Sequence, residues 1–98
     1  MDLRPIGIFD SGLGGLTVVK SVLDILPRES IVYFGDTGRV PYGTRSRDTI
    51  IKYSVQDVNF LLTKNVKGII IACGTASSVA LDHVKRQTDV PVMGVVEA

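Results

Sequence analysis

Ninety-eight residues suffice for one domain or part of one, and 45% apolar with 21% charged residues is ordinary globular usage, not that of a disordered chain. Eleven basic and ten acidic side chains leave a net charge of +1, no electrostatic footprint for nucleic acid, which disfavours a general DNA or RNA binder. One cysteine permits no internal disulfide, and the opening MDLRPIGIFDSG is too poor in apolar residues for a signal peptide or a membrane anchor, so a soluble, cytoplasmic protein is expected, with no membrane partner.

The short apolar run Ile6-Gly7-Ile8-Phe9 predicts a strand that ends at Asp10-Ser11. From Leu16 to Leu26, apolar residues at 19, 22, 23 and 26 recur at helical spacing, and Pro27 marks the exit. Ile31 to Phe34 reads as a second strand ending at Gly35-Asp36-Thr37, followed by a long loop through Pro41, Tyr42 and Gly43. Ser46 is an N-cap candidate for the next helix, whose stripe is Ile51, Val55, Val58 and Leu62 and whose stop is Asn65. Gly68 to Ala72 is an unbroken apolar run, as a parallel strand covered on both faces requires. Ala76, Val79, Ala80, His83 and Val84 line a third helix starting near Ala76, and Val92 to Val96 forms a fourth strand after Pro91.

Alternating strands and helices in this order predict an α/β fold, a parallel four-stranded sheet with right-handed crossovers and flanking helices. Such sheets bind ligands outside the carboxyl ends of their strands. Here those ends carry Asp10-Ser11, Asp36-Thr37, Cys73-Gly74-Thr75 and Glu97.

Four familiar chemistries are excluded by spacing. The turn DSGLGGLT lacks the last glycine of GxGxxG and any Gly-Lys-Ser/Thr, so it is neither a dinucleotide fingerprint nor a P-loop. It remains either an anion cradle of backbone N–H groups or a plain tight turn. Asp10 lacks the second acid two residues on that an aspartyl-phosphate nucleophile would have, Gly12 standing there. A thiolate phosphatase would need an arginine six residues after Cys73, where Val79 stands. Cys73 is then either an inert core thiol or a nucleophile or base facing solvent beside a helix N-terminus, where the helix dipole favours thiolate; the Gly-Thr flank tips the reading toward function. The loop around Tyr42, with Arg39, Arg45 and Arg47, is either an exposed basic loop or a pocket wall whose amides meet a carboxylate. His83 reads as a packed or surface histidine, not a ligand.

The stretches GIFDSGLGGLTV, YFGDTGRVPYGTRS and ACGTASSVAL, in this order and spacing, closely resemble the first half of the glutamate racemases, within the cofactor-independent aspartate/glutamate racemase family. The likeness runs from Ile6 to Ala98. It implies an isomerase with no cofactor and no metal that interconverts L- and D-glutamate and supplies D-glutamate for bacterial peptidoglycan, and so for cell-wall biogenesis and cell shape. It also implies two similar α/β domains with the site between them, each offering one cysteine to opposite faces of the substrate's α-carbon. By the same resemblance Cys73 is one of these acid/base thiols, and Asp10 and Ser11 contact substrate and tune the proton transfer. Pro41, Tyr42 and Gly43 belong to the substrate-binding loop, and Gly74 and Thr75 to the segment that recognises the substrate, Thr75 through its carboxylate.

Two departures stand out. The family's ACNTAS reads ACGTAS here, so Gly74 lacks an amide that contacts substrate; one hydrogen bond to a charged group is worth about 1.5–3 kcal/mol. In the family a second α/β unit, with the other cysteine and a histidine, follows the position of Ala98 before the chain returns to complete the first domain. The expectation is therefore an N-terminal portion, residues 1–98, that racemises weakly or not at all alone. It would retain an amino-acid or anion pocket, or self-associate, most simply as a homodimer.

Overall fold

The structure, a computed structural model, describes residues 3–10, 15–36 and 46–94. In chain order its elements are β1 (Ile6–Asp10), α1 (Gly15–Ile25), β2 (Ile31–Gly35), α2 (Arg47–Leu62), β3 (Gly68–Ile71), α3 (Gly74–Lys85) and β4 (Val92–Gly94). All strand pairings are parallel, in the order β2-β1-β3-β4. Phe9 stands level with Phe34 on one side and Ile71 on the other, so β1 is central and shares both its edges.

Alternation along the strands sorts the side chains onto two faces. Phe9, Phe34, Ile69, Ile71 and Val92 share the face against which α2 and α3 pack, and most of the core lies there. Phe9, Leu61, Ile71, Ala76, Ala80 and Val84 are fully enclosed. The larger of these, Phe9, Leu61, Ile71 and Val84, each contribute about 1.5–3 kcal/mol of transfer free energy. On the opposite face Ile8 is enclosed, but Ile70 is half-buried and Met93 is 49% exposed.

Ser46 caps α2 as expected: its Oγ accepts the Thr49 amide at 3.2 Å. After the helix the chain turns at Asn65, which takes φ 56°, the left-handed conformation asparagine tolerates. The buried face of α2 is rotated by about one residue from the expected stripe. Ile50, Ser54, Asp57, Val58 and Leu61 are buried, whereas Ile51, Val55 and Leu62 only flank the core. A count of apolar residues passes over Ser54, which satisfies itself by donating to the Ile50 carbonyl at 2.8 Å.

The stripe expected on α1 is likewise only partly used. Val19 and Val22 are half-buried, but Leu23, Leu26 and the neighbouring Ile25 are exposed. The fourth strand is described over Val92–Gly94; Val95, Val96 and Glu97 lie outside the described residues. At the opposite end of the sheet the Lys67 ammonium meets Glu29 at 2.6 Å, and the Lys67 amide donates to the Pro5 carbonyl.

Candidate active site

The strand order contains one reversal. From β1 the chain moves outward to β2, then α2 carries it back across β1 to β3 on the other side. The crevice beyond the carboxyl ends of β1 and β3 is thus the topological switch point, where open α/β sheets place their ligands. Asp10 is the last residue of β1, and Cys73 follows β3 by two residues. The ladder continues past the strands, with the Ala72 amide donating to the Phe9 carbonyl at 2.8 Å and the Asp36 amide to the Asp10 carbonyl at 3.0 Å. Asp10 is therefore held on both sides by backbone, and Cys73 follows the neighbouring strand at the same edge.

Cys73 is the N-cap of α3. With φ −92° and ψ 121° it is still extended, and its Sγ accepts the Ala76 amide at 3.5 Å. The helix begins at Gly74, two residues earlier than the sequence suggested. The Gly-Thr pair looked like a turn, yet it forms the first helical positions behind a sulfur cap. The expectation of a solvent-facing thiol also needs correction: Cys73 is 7% exposed and borders the core beside Ala76 and Ala80. Its burial follows from the same geometry, because a cap side chain folds back over the first turn of its own helix.

Gly74 is exposed, and a Cβ there would meet nothing within 4 Å. Thr75 is half-buried next to it on the first turn. Asp10, Cys73, Gly74 and Thr75 are thus brought to one edge of the sheet. Ser11, Pro41, Tyr42 and Gly43 lie outside the described residues. Asp36, at the tip of β2, is 7% exposed.

Asp10 is fully buried, and Tyr33 Oη donates to its Oδ1 at 3.0 Å. Burial, then the hydrogen bond to Asp10 and its negative charge, push the Tyr33 hydroxyl up to about 12 from its ordinary 10.0. Gly35, the next residue on the same face of β2, passes so close that a Cβ would stand 3.1 Å from Tyr33 Oη and 3.4 Å from Asp10 Oδ1. Tyr33 was missed from the sequence. A lone hydroxyl inside an otherwise apolar strand is a signal that a polar partner is near, but only the strand register names that partner.

His83 is a surface residue of α3, its Nε2 3.3 Å from Gln87 Nε2. Among the described residues no cluster of His, Cys, Asp and Glu is placed to hold a metal ion, and no helix is long and apolar enough to cross a membrane.

No family model matches the sequence. The glutamate racemase of Lactococcus lactis subsp. cremoris is 58% identical over 96 residues, covering 98% of this chain and 35% of its own length. The glutamate racemase of Francisella tularensis, solved in complex with D-glutamate, superposes with a TM-score of 0.93 at 53% identity, over 99% of this chain and 37% of that one. That of Thermus thermophilus, solved with β-chloro-D-alanine, gives a TM-score of 0.93 at 50% identity, over 97% of this chain and 37% of that one. The chain spans little more than a third of the length of these relatives. In sequence and in fold the chain corresponds to the N-terminal part of the glutamate racemases.

Proposed function

We propose that this chain is the first-domain portion of a cofactor-independent racemase that interconverts L- and D-glutamate, and that Cys73 is one of its two acid/base thiols. The observation that carries the reading is that Asp10 ends β1 and Cys73 follows the adjoining β3 at the switch point, in a chain whose relatives are glutamate racemases, one of them holding D-glutamate.

Removing an α-proton without an electron-sink cofactor leaves a poorly stabilised carbanion, so the base, the opposing acid and the donors to the carboxylate must all be positioned beforehand. In the proposed step the Cys73 thiolate takes the α-proton from one face. The C–H electron pair passes to the α-carbon and its carboxylate, and a thiol on the other face returns a proton, inverting the centre. The second thiol is not in this sequence, which has one cysteine. Asp10 holds the substrate's ammonium group and assists the transfer, Thr75 binds the carboxylate, and Ser11 and the loop at Pro41, Tyr42 and Gly43 complete the pocket. The product, D-glutamate, serves peptidoglycan synthesis in the cytoplasm, where a lone thiol stays reduced.

With only one thiol, the chain alone is proposed to exchange the α-proton but to racemise weakly or not at all. The exposed Met93 and half-buried Ile70 on the sheet face opposite α2 and α3 favour self-association as a homodimer.

The test is proton NMR of D- and L-glutamate in heavy water with the chain, alongside polarimetry. Deuterium should enter the α-position of one enantiomer, with little change in rotation, and Cys73→Ser should abolish the exchange. Exchange that survives Cys73→Ser would remove Cys73 from the chemistry. No exchange and no binding of either enantiomer would remove the function.

A further inference from the structure

We propose that Tyr33 is a positioning residue for Asp10, its hydroxyl fixing which way the carboxylate at the tip of β1 faces. The inference rests on the reading of Asp10 as a group that contacts substrate. A carboxylate at a strand end can rotate about two side-chain bonds, and a substrate ammonium needs one oxygen presented in one direction. Tyr33 lies on β2, level with Ile8 and on the same face as Asp10, so its ring runs along the sheet toward the carboxyl edge. Its Oη donates to Oδ1 at 3.0 Å, which commits that oxygen to the protein and turns the other in a defined direction.

Two further features favour a built arrangement over a chance contact. Asp10 is fully enclosed, so bulk water does not compete for Oδ1. Gly35 leaves the space through which the hydroxyl reaches, since a Cβ at that position would press on Tyr33 Oη at 3.1 Å. Tyrosine also suits the role chemically: its hydroxyl stays protonated, hence a donor, at any pH at which a thiol-based racemase works.

The test uses the chain, its Tyr33→Phe and Asp10→Asn variants, and Tyr53→Phe as a control on α2. In the first arm, tyrosine 13Cζ resonances are followed against pH. Asp10→Asn should let Tyr33 ionise at visibly lower pH than in the unsubstituted chain; no change overturns the pairing. In the second arm, α-proton exchange is measured at saturating D-glutamate, with affinity and thermal midpoint measured in parallel. Tyr33→Phe should slow exchange at saturation about ten- to a hundredfold, as a misplaced catalytic group does, with affinity changed less than about threefold. Tyr53→Phe should leave the rate unchanged. A Tyr33→Phe variant that loses thermal stability but exchanges at the unsubstituted rate overturns the positioning role. If the unsubstituted chain neither binds D-glutamate nor exchanges its α-proton while the tyrosine arm behaves as expected, the racemase reading falls and the positioning role with it, leaving the pair as a structural bond.

Discussion

Cys73 Sγ accepts the amide of Ala76 at 3.5 Å, so the thiol proposed for chemistry is also the cap of the helix that follows it. Substitutions should separate the two duties. Cys73→Ala removes a cap and should cost about 0.5–2 kcal/mol in urea unfolding. Cys73→Ser supplies a better acceptor and should hold stability within about 0.5 kcal/mol of the unsubstituted chain. If serine and alanine prove equally costly, the sulfur is not a working cap.

The bond between Tyr33 and Asp10 gives folding an alkaline limit with a definite sign. The folded chain holds the tyrosine proton more tightly than the unfolded chain, with midpoints of about 12 and 10.0. The unfolded state therefore binds fewer protons in this window, and stability falls as pH rises through it. The contribution is complete below pH 10 and is lost toward pH 12. Urea midpoints measured across this range should decline more steeply for the unsubstituted chain than for Tyr33→Phe. Parallel declines would contradict the assignment.

Gly74 occupies open space at the first turn of α3, so an asparagine fits there without displacing anything. Gly74→Asn should leave the urea midpoint unchanged or slightly raised, since glycine is the poorer helix former. If the new amide reaches bound D-glutamate, affinity should rise by about 1.5–3 kcal/mol, tenfold or more by calorimetry. Unchanged affinity would mean that this position does not face the ligand.

Gly94 ends β4 directly beneath α3, where a Cβ would overlap Ser77 Oγ and stand 3.0 Å from Ser77 Cβ. Gly94→Ala should destabilise by about 1–3 kcal/mol through overpacking. Adding Ser77→Ala should recover part of that loss, a coupling visible in a double-mutant cycle of urea midpoints. Strictly additive effects would show that the strand edge moves aside freely.

Leu3, Ile25 and Met93 are 81%, 77% and 49% exposed, and Met93 lies on a sheet face beside half-buried Ile70. Sedimentation equilibrium should show concentration-dependent association, weakened by Met93→Lys. A folded monomer at high micromolar concentration, without binding of a dye for apolar surface, would contradict it.

The sheet and its carboxyl edge were legible in the sequence because short apolar runs and 3.6-residue stripes are local signals. Asp10, Asp36 and Cys73 could be read as strand tips before any coordinates. The strand order was not legible, and with it the reversal that puts Asp10 beside Cys73, because order depends on which edges pair. The rotated face of α2 was hidden by Ser54 and Asp57, polar residues that end buried; the Ser54 hydroxyl bonds to the Ile50 carbonyl, which hydrophobicity does not record. Tyr33 escaped for a related reason: its partner is 23 residues away in the chain. The early start of α3 escaped because cysteine is not among the side chains sought at helix caps.

The central position of β1 also shapes how the protein emerges from a ribosome. Once made, β1 can pair on one side when residues 31–35 appear, but its other edge waits for residues 68–71. Until then Ile8 and Phe9, which end fully enclosed, lack their β3 neighbours Ile70 and Ile71. A nascent chain paused between β2 and β3 would present an open-edged pair of parallel strands to chaperones. Docking of the third strand closes that edge and brings Cys73 and Asp10 to the same end of the sheet in one event, so the proposed site takes shape only when the nascent chain stops being a chaperone client.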